Sequence, residues 1–289
     1  MADYINKKLV QDIIPIRKQN SNKATFGKIL NIAGSKKYSG AAALSSLSAL
    51  KAGAGYVTLA SVDDAVNLTL NISPEVVGLR LKQNNNGSIA NENVIENIQN
   101  YDVISLGCGL TTDDSVKSFV YNLLPQISAK QNLVVDADGI NIIAEKKGEI
   151  TLKNAVITPH PRELSRLLKV NVFEINENRE KYARICAQTY DCITVLKGNG
   201  TIVTNGEKVY INTTGNSALA KSGTGDVLTG IVAALLAQGL NPFEAAIASV
   251  YVHGLAGDIA SSRLSEYCVL ASDVISYLPI AYMKVLKVE

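Results

Sequence analysis

The sequence predicts an α/β fold, a three-layer arrangement with helices flanking a mostly parallel central sheet, and three observations carry that expectation. Short runs rich in Val, Ile and Leu end in Gly, Asp or Pro at residues 28–33, 56–61, 103–106, 133–136, 155–158 and 193–196. Such runs suit strands buried on both faces, as in a parallel sheet. Longer stretches with helical spacing, 41–52, 114–127 and 174–190, lie between them and suit crossover helices. After Lys197 the pattern changes. Residues 201–204 and 208–212 flank Asn205-Gly206, a hairpin signal that predicts an antiparallel addition before a glycine-rich stretch and three helical segments. The segment 41–52 is rich in Ala and Ser, which fits close packing against a neighbouring helix. The Asn-rich stretch 82–88 reads as a surface loop.

With 289 residues the chain can bury a large core, and a single domain over 1–289 accounts for it. Lys and Arg number 28 against 26 Asp and Glu, so the net charge of +2 gives nucleic acid nothing to recognise. Cys108, Cys186, Cys192 and Cys268 form no Cys-x-x-Cys pair, and the two histidines, His160 and His253, are far apart, which argues against a zinc site or a disulfide framework. The N-terminus has no hydrophobic signal core, and the longest apolar stretch, around 227–240, is too short and interrupted to span a bilayer. These features predict a cytoplasmic protein with reduced thiols and no membrane partner.

Ligands of open parallel sheets sit beyond the carboxyl ends of the strands. The residues there are Gly34-Ser-Lys-Lys-Tyr-Ser-Gly40, Gly107-Cys-Gly109, Asp136-Ala-Asp138, Thr158-Pro-His-Pro161 and Lys197-Gly-Asn-Gly-Thr201. Residues 221–230, Lys-Ser-Gly-Thr-Gly-Asp-Val-Leu-Thr-Gly, add two glycines and an acid at a helix start. Asp226 is there either as a stabilising first-turn acid or as a chemical group beside an anion site made by the N–H groups around Gly223 and Gly225. His160 is either a satisfied loop histidine or a group that orients a substrate. Lys197 is either solvated or aimed at a phosphate, and Asp136 and Asp138 either cap a helix or help hold a cation. His253, on a helix among apolar residues, reads as structural. No P-loop occurs, and Gly223-Thr-Gly225 has Leu228 where a dinucleotide fingerprint has its third glycine.

Taken in order, the motifs carry a resemblance. They are Phe26-Gly-Lys-Ile-Leu-Asn-Ile-Ala-Gly-Ser35, Gly40-Ala-Ala, Val135-Asp-Ala-Asp138, Thr158-Pro-His-Pro161, Val195-Leu-Lys-Gly198, Thr214-Gly-Asn216, Ser222-Gly-Thr-Gly-Asp226 and Tyr251-Val-His-Gly-Leu-Ala-Gly-Asp258. The chain resembles the ribokinase-like superfamily and, within it, the ADP-dependent NAD(P)H-hydrate dehydratases. The sequence departs from that family at Cys108 and Thr213, where prolines are usual, and at Arg162, where glycine is usual.

The resemblance implies a three-layer ribokinase-like fold and repair of the hydrated nucleotides (6S)-NADHX and (6S)-NADPHX to NADH and NADPH. ADP would serve as phosphoryl donor, releasing AMP and phosphate, with Mg2+ accompanying it through ligands the sequence does not identify. It implies catalytic roles for Asp226, Gly223 and Gly225. Ala41, Gly109, His160 and Asp226 would contact the hydrated dinucleotide, and Lys197, Gly198, Asn199, Gly200, Thr201 and Gly225 the adenine nucleotide. It also implies a homotetramer. The family's companion epimerase domain precedes the dehydratase in many members; here the matching elements begin at Phe26, so that activity is expected from a separate protein. Two rivals are an alcohol kinase of the same fold, which stops at a phosphorylated product, and a non-catalytic nucleotide-binding protein.

Overall fold

Parallel strands covered on both faces must bury side chains of both alternations, and this sheet does so. The computed structural model describes residues 2–286; Met1 and residues 287–289, the ends of the expected 1–289 domain, lie outside the described residues. The strands are β1 (Asp3–Ile5), β2 (Lys28–Ile32), β3 (Tyr56–Ser61), β4 (Val77–Arg80), β5 (Val103–Leu106), β6 (Asn132–Val135), β7 (Ala155–Ile157), β8 (Ile193–Leu196), β9 (Ile202–Thr204) and β10 (Val209–Asn212). They form one sheet in the order β1-β10-β9-β8-β7-β6-β5-β2-β3-β4. Only β9 runs against the others, pairing antiparallel with β8 and β10 around the Asn205-Gly206 turn.

The helices are α1 (Lys7–Ile13), α2 (Ser39–Lys51), α3 (Asp63–Ile72), α4 (Asp114–Leu123), α5 (Ala137–Glu145), α6 (Pro161–Leu168), α7 (Val172–Glu177), α8 (Arg179–Tyr190), α9 (Thr224–Ala237), α10 (Pro242–Leu264) and α11 (Ala271–Leu286). Val57, Val103, Val134, Val156 and Val195 point to one face, under α1, α2, α9, α10 and α11. Ala60, Ile104, Leu133, Ile157 and Leu196, of the opposite alternation, point to the other, under α3 to α8. This division explains the continuous apolar runs. None of the helices is long and apolar enough to cross a membrane, among the described residues.

Helix α9 is buried from Val227 to Ala237, as expected of a helix that is apolar all round. It lies so close to the Ala- and Ser-rich α2 that a Cβ on Gly230 would stand 2.0 Å from Ser48 Oγ and 2.2 Å from Ser45 O. The small residues of 41–52 therefore serve this approach.

Three expectations change in detail. The 174–190 helix is two helices, α7 and α8, broken at Asn178, whose φ of −133° and ψ of 49° leave the helical region. The 114–127 helix ends at Leu123 and continues as a 3-10 turn, Leu124–Gln126, where Pro125 lacks the N–H a helix needs. The 82–88 loop is only partly a surface feature: Gly87 and Ser88 are buried, and the Lys36 N–H donates to Gly87 O at 2.8 Å.

Gly230→Ala is expected to lower stability by about 1–3 kcal/mol, the usual cost of overpacking. An unchanged denaturation midpoint would contradict the close α2–α9 packing.

Candidate active site

The chain leaves β2 in two directions, with β3 and β4 on one side and β5 to β8 on the other. A crevice opens at such a switch point, beyond the carboxyl ends of the strands. Here the Gly34 N–H donates to Cys108 O at 2.7 Å, tying the two loops that border it. Gly109 adopts a φ of +66°, and a Cβ there would meet Tyr38 Cβ at 2.8 Å and Ala41 Cβ at 2.9 Å. Ala41 and Gly109, singled out in distant motifs, are thus neighbours at this crevice.

The start of α9 reaches the same end of the sheet. Gly223 is its N-cap with a φ of +91°, and the Thr224 hydroxyl bonds Leu219 O at 2.8 Å and Lys221 O at 2.9 Å. Beneath the helix start lies a buried ion pair. Lys197 Nζ donates to Asp136 Oδ1 at 2.6 Å, and Thr229 Oγ1 donates to Asp136 Oδ2 at 2.8 Å. A Cβ on Gly225 would sit 3.5 Å from Lys197 Nζ and 3.6 Å from Asp136 Oδ2, so the bare helix start rests directly on the pair. Of the two roles open to Asp136, the cap fails: it heads α5 without a side-chain cap bond. Asp138 accepts from the Thr111 N–H at 2.8 Å and from Asn141 Nδ2 at 3.3 Å.

On the other side of Gly225 is a cavity of about 570 Å³ whose wall contains Gly225 and all of Lys197, Gly198, Asn199, Gly200 and Thr201. The loop turns through φ of +142° at Gly198 and +62° at Gly200. Arg179 of α8 clamps it, donating to Leu196 O at 3.2 Å and to Asn199 O. The break at Asn178 that starts α8 sets this arginine in place, and neither was legible in the sequence. The facing wall is the 212–220 segment with Leu228, Val250 and His253. His253, expected to be structural, is therefore also a wall residue; burial holds its pKa down at about 4, and its Nε2 has no partner. A second concavity along 177–188 is an open groove lined largely by charged side chains, Arg179 among them.

His160 is the N-cap of α6. Its Nδ1 accepts from the Arg162 and Glu163 N–H groups at 3.1 and 3.2 Å, while Glu163 Oε2 accepts the His160 N–H at 2.8 Å. The ring therefore carries its proton on Nε2, which lies 3.4 Å from Glu163 Oε1. Burial and then Lys197 hold its pKa below the usual imidazole value. Of the two roles open to His160, the geometry realises the satisfied one, as the cap of α6. Arg162 is exposed, and the Thr213 hydroxyl donates to Ile5 O at 2.6 Å, tying β1 to the cavity wall. Cys108 is buried, with its thiol facing Asp226 and Thr229.

Burial, then the charge of Asp136, pushes Asp226 up to about 7 against the opposing pull of Cys108 and Lys197. Burial also raises Glu163 to about 7, where Lys197 opposes it. Lys197 is held above its usual value: burial disfavours its charge, but Asp136 and Glu163 outweigh that. Among the described residues no three His, Cys, Asp or Glu side chains are grouped to hold a metal ion.

A raised carboxyl group destabilises the fold once it ionises. The unfolded chain releases this proton near pH 4 and the folded protein near pH 7, so the cost is absent below the first value and complete above the second. Asp226→Asn is expected to raise the unfolding temperature more at pH 8 than at pH 5. A pH-independent difference would contradict the raised carboxyl.

Comparison with known proteins follows the same residues. The family described as NAD(P)H-hydrate dehydratase matches residues 29–280. The ADP-dependent (S)-NAD(P)H-hydrate dehydratase of Bacillus subtilis is 31% identical over 274 residues, 93% of this chain and 94% of that protein. A crystal structure of the Bacillus subtilis ADP/ATP-dependent enzyme, co-crystallised with ATP and Mg2+, superposes with a TM-score of 0.86 at 29% identity, covering 98% of this chain and 99% of that one. A ribokinase-like superfamily protein of Enterococcus faecalis superposes with a TM-score of 0.87 at 26% identity over 99% and 97% of the two chains, and the fold is ribokinase-like. The bifunctional NAD(P)H-hydrate repair enzyme of Moorella thermoacetica is 35% identical over 272 residues, 92% of this chain and 51% of that protein. The chain spans about half the length of such bifunctional relatives. It belongs to the NAD(P)H-hydrate dehydratase family.

Proposed function

We propose that this chain dehydrates (6S)-NADHX and (6S)-NADPHX to NADH and NADPH, using ADP and releasing AMP and phosphate. The observation that carries the reading is the position of Asp226, a half-buried acid ionising near neutrality at the start of α9. It follows Gly225 of the cavity wall and meets Cys108, whose neighbour Gly109 packs on Ala41. The crevice takes the hydrated dinucleotide and the cavity takes ADP.

Hydroxide is a poor leaving group, whereas a phosphorylated hydroxyl leaves as phosphate. In the first step Asp226 orients the ring hydroxyl and takes its proton, and the oxygen attacks the terminal phosphorus of ADP, whose bond to the bridging oxygen breaks to release AMP. The N–H groups from Gly223 to Asp226 face the charge on the phosphoryl group in flight. Its transition state is loose, so placement and electrostatics matter more than base strength. In the second step the carbon–oxygen bond breaks, phosphate leaves with the electron pair, and loss of a ring proton restores the double bond. His160 presents its Nε2 edge to the dinucleotide.

Magnesium fits this site only as a companion of the nucleotide. Both oxygens of Asp136 are engaged by Lys197 and Thr229, and Asp138 by Thr111 and Asn141, so no side-chain cage is free for it. Carried on the phosphates of ADP, it would screen their charge. A homotetramer, a cytoplasmic location and an epimerase that supplies the reactive epimer belong to the same reading. The bifunctional relatives, named as NAD(P)H-hydrate repair enzymes, support the last of these.

Asp226→Asn is expected to lower turnover roughly 10²–10⁴-fold, the span of general-base removal. Near-normal turnover by the folded variant would return Asp226 to the role of a helix-start acid. His160→Ala should raise KM for the hydrated dinucleotide more than KM for ADP; equal rises would remove His160 from the dinucleotide site.

A further inference from the structure

Asp136 has no task in the reaction so far. It is 1% exposed, and its two partners come from distant segments, Lys197 at a separation of 61 residues and Thr229 at 93. The three side chains join the ends of β6 and β8 to the second turn of α9. Lys197 also has Glu163 within 3.9 Å, yet it sits on Asp136 at 2.6 Å, on the side of the helix start. A buried ion pair is a weak source of stability, because desolvation offsets most of the attraction. This one lies under Gly225, next to the acid that faces the Cys108 thiol.

We propose that Asp136 is a positioning residue that acts through Asp226: Lys197 and Thr229 fix its carboxylate so that a second negative charge stands beside the reacting acid. The inference rests on the reading of Asp226 as the group that takes the hydroxyl proton. Four groups face Asp226. Asp136 and Asp138 oppose its ionisation, as burial does, while Lys197 and the Cys108 thiol favour it. After burial, Asp136 is the largest of these influences. Asp136 itself is faced by Lys197, Glu163, His160, Cys108 and Asp226. The second charge makes Asp226 a stronger base than an isolated carboxylate while leaving it ionised above neutral pH. Lys197 limits the effect, so the pair sets the proton affinity of Asp226 from two sides.

The test is Asp136→Asn, which keeps shape and removes charge. In the free protein the Asp226 carboxyl is titrated by carbon-13 NMR after labelling of aspartate, with its signal assigned through Asp226→Asn. The pH dependence of kcat is measured at saturating ADP. The midpoint of Asp226 is expected to fall by about one pH unit, the lower end of the effect of a close like charge. The acid limb of kcat should fall with it. Lys197→Met should move the midpoint the other way, and Asp136→Ser, also uncharged, decides the matter if Asp136→Asn does not fold. An unmoved midpoint in a folded variant, or a loss of kcat equal at all pH values, would overturn the proposal and leave Asp136 a purely structural residue. The NMR arm is independent of turnover. A shifted midpoint in a protein that fails to dehydrate NADHX supports the coupling of the two acids and removes only the reaction assigned to them.

Discussion

The site depends on how closely α9 lies against α2. Gly230 leaves no room for a Cβ against Ser45 and Ser48, and the helix is buried along its length, so α9 cannot slide or tilt without opening the core. Its N-terminus is thereby carried onto the ends of β6 and β8. Gly225 rests there on Lys197 and Asp136, while Asp226 meets the Cys108 loop that follows β5. A single helix start thus borders both the cavity beside 197–201 and the Cys108 loop, whose Gly109 packs on Ala41. Phosphoryl transfer between two bound molecules requires such a shared border, because its rate depends on alignment of donor and acceptor.

The charges at that border are arranged in opposition. Asp136 stands close enough to Asp226 to disfavour its ionisation, and Lys197 offsets part of this by pairing with Asp136. The outcome is an acid that exchanges its proton near neutral pH, the range in which a group can both take and return one. An alcohol kinase on the same fold would use the same glycines and the same acid. The two activities part only after phosphorylation, when the dehydratase product loses phosphate, so fold alone does not choose between them. Membership of the dehydratase family, with similarity running from residue 29 to residue 280, favours dehydration.

Most of the sheet was legible because strands buried on both faces write themselves as uninterrupted apolar runs, and Asn205-Gly206 marked the β9–β10 hairpin. Strands β1 and β4, the two edges, were not, since three residues and a mostly exposed run of four carry no apolar pattern; the place of β1 depends on pairing with β10 and on the Thr213 hydroxyl. The glycine-rich motifs marked loops at the carboxyl ends of the strands, and the structure brings Ala41 to Gly109 and Lys197 to Gly225. The pairing inside the site was hidden. Nothing in Val135-Asp-Ala-Asp138 distinguishes an ion-paired Asp136 from a helix cap, because its partners lie far along the chain. Likewise the helical spacing of 174–190 conceals the break at Asn178, and with it the arginine that clamps the 197–201 loop. His160 shows the limit of reading one residue at a time: its Nδ1 completes a capping box with Glu163, whose signature sits three residues on.

Recovery of NADH absorbance from purified NADHX, with magnesium and either ADP, ATP or no nucleotide, separates dehydration from simple phosphorylation in one assay. Recovery is expected only with a nucleotide, accompanied by an equal release of phosphate. Accumulation of a stable phosphorylated dinucleotide, or no recovery by folded protein that binds ADP, would contradict the dehydratase reading.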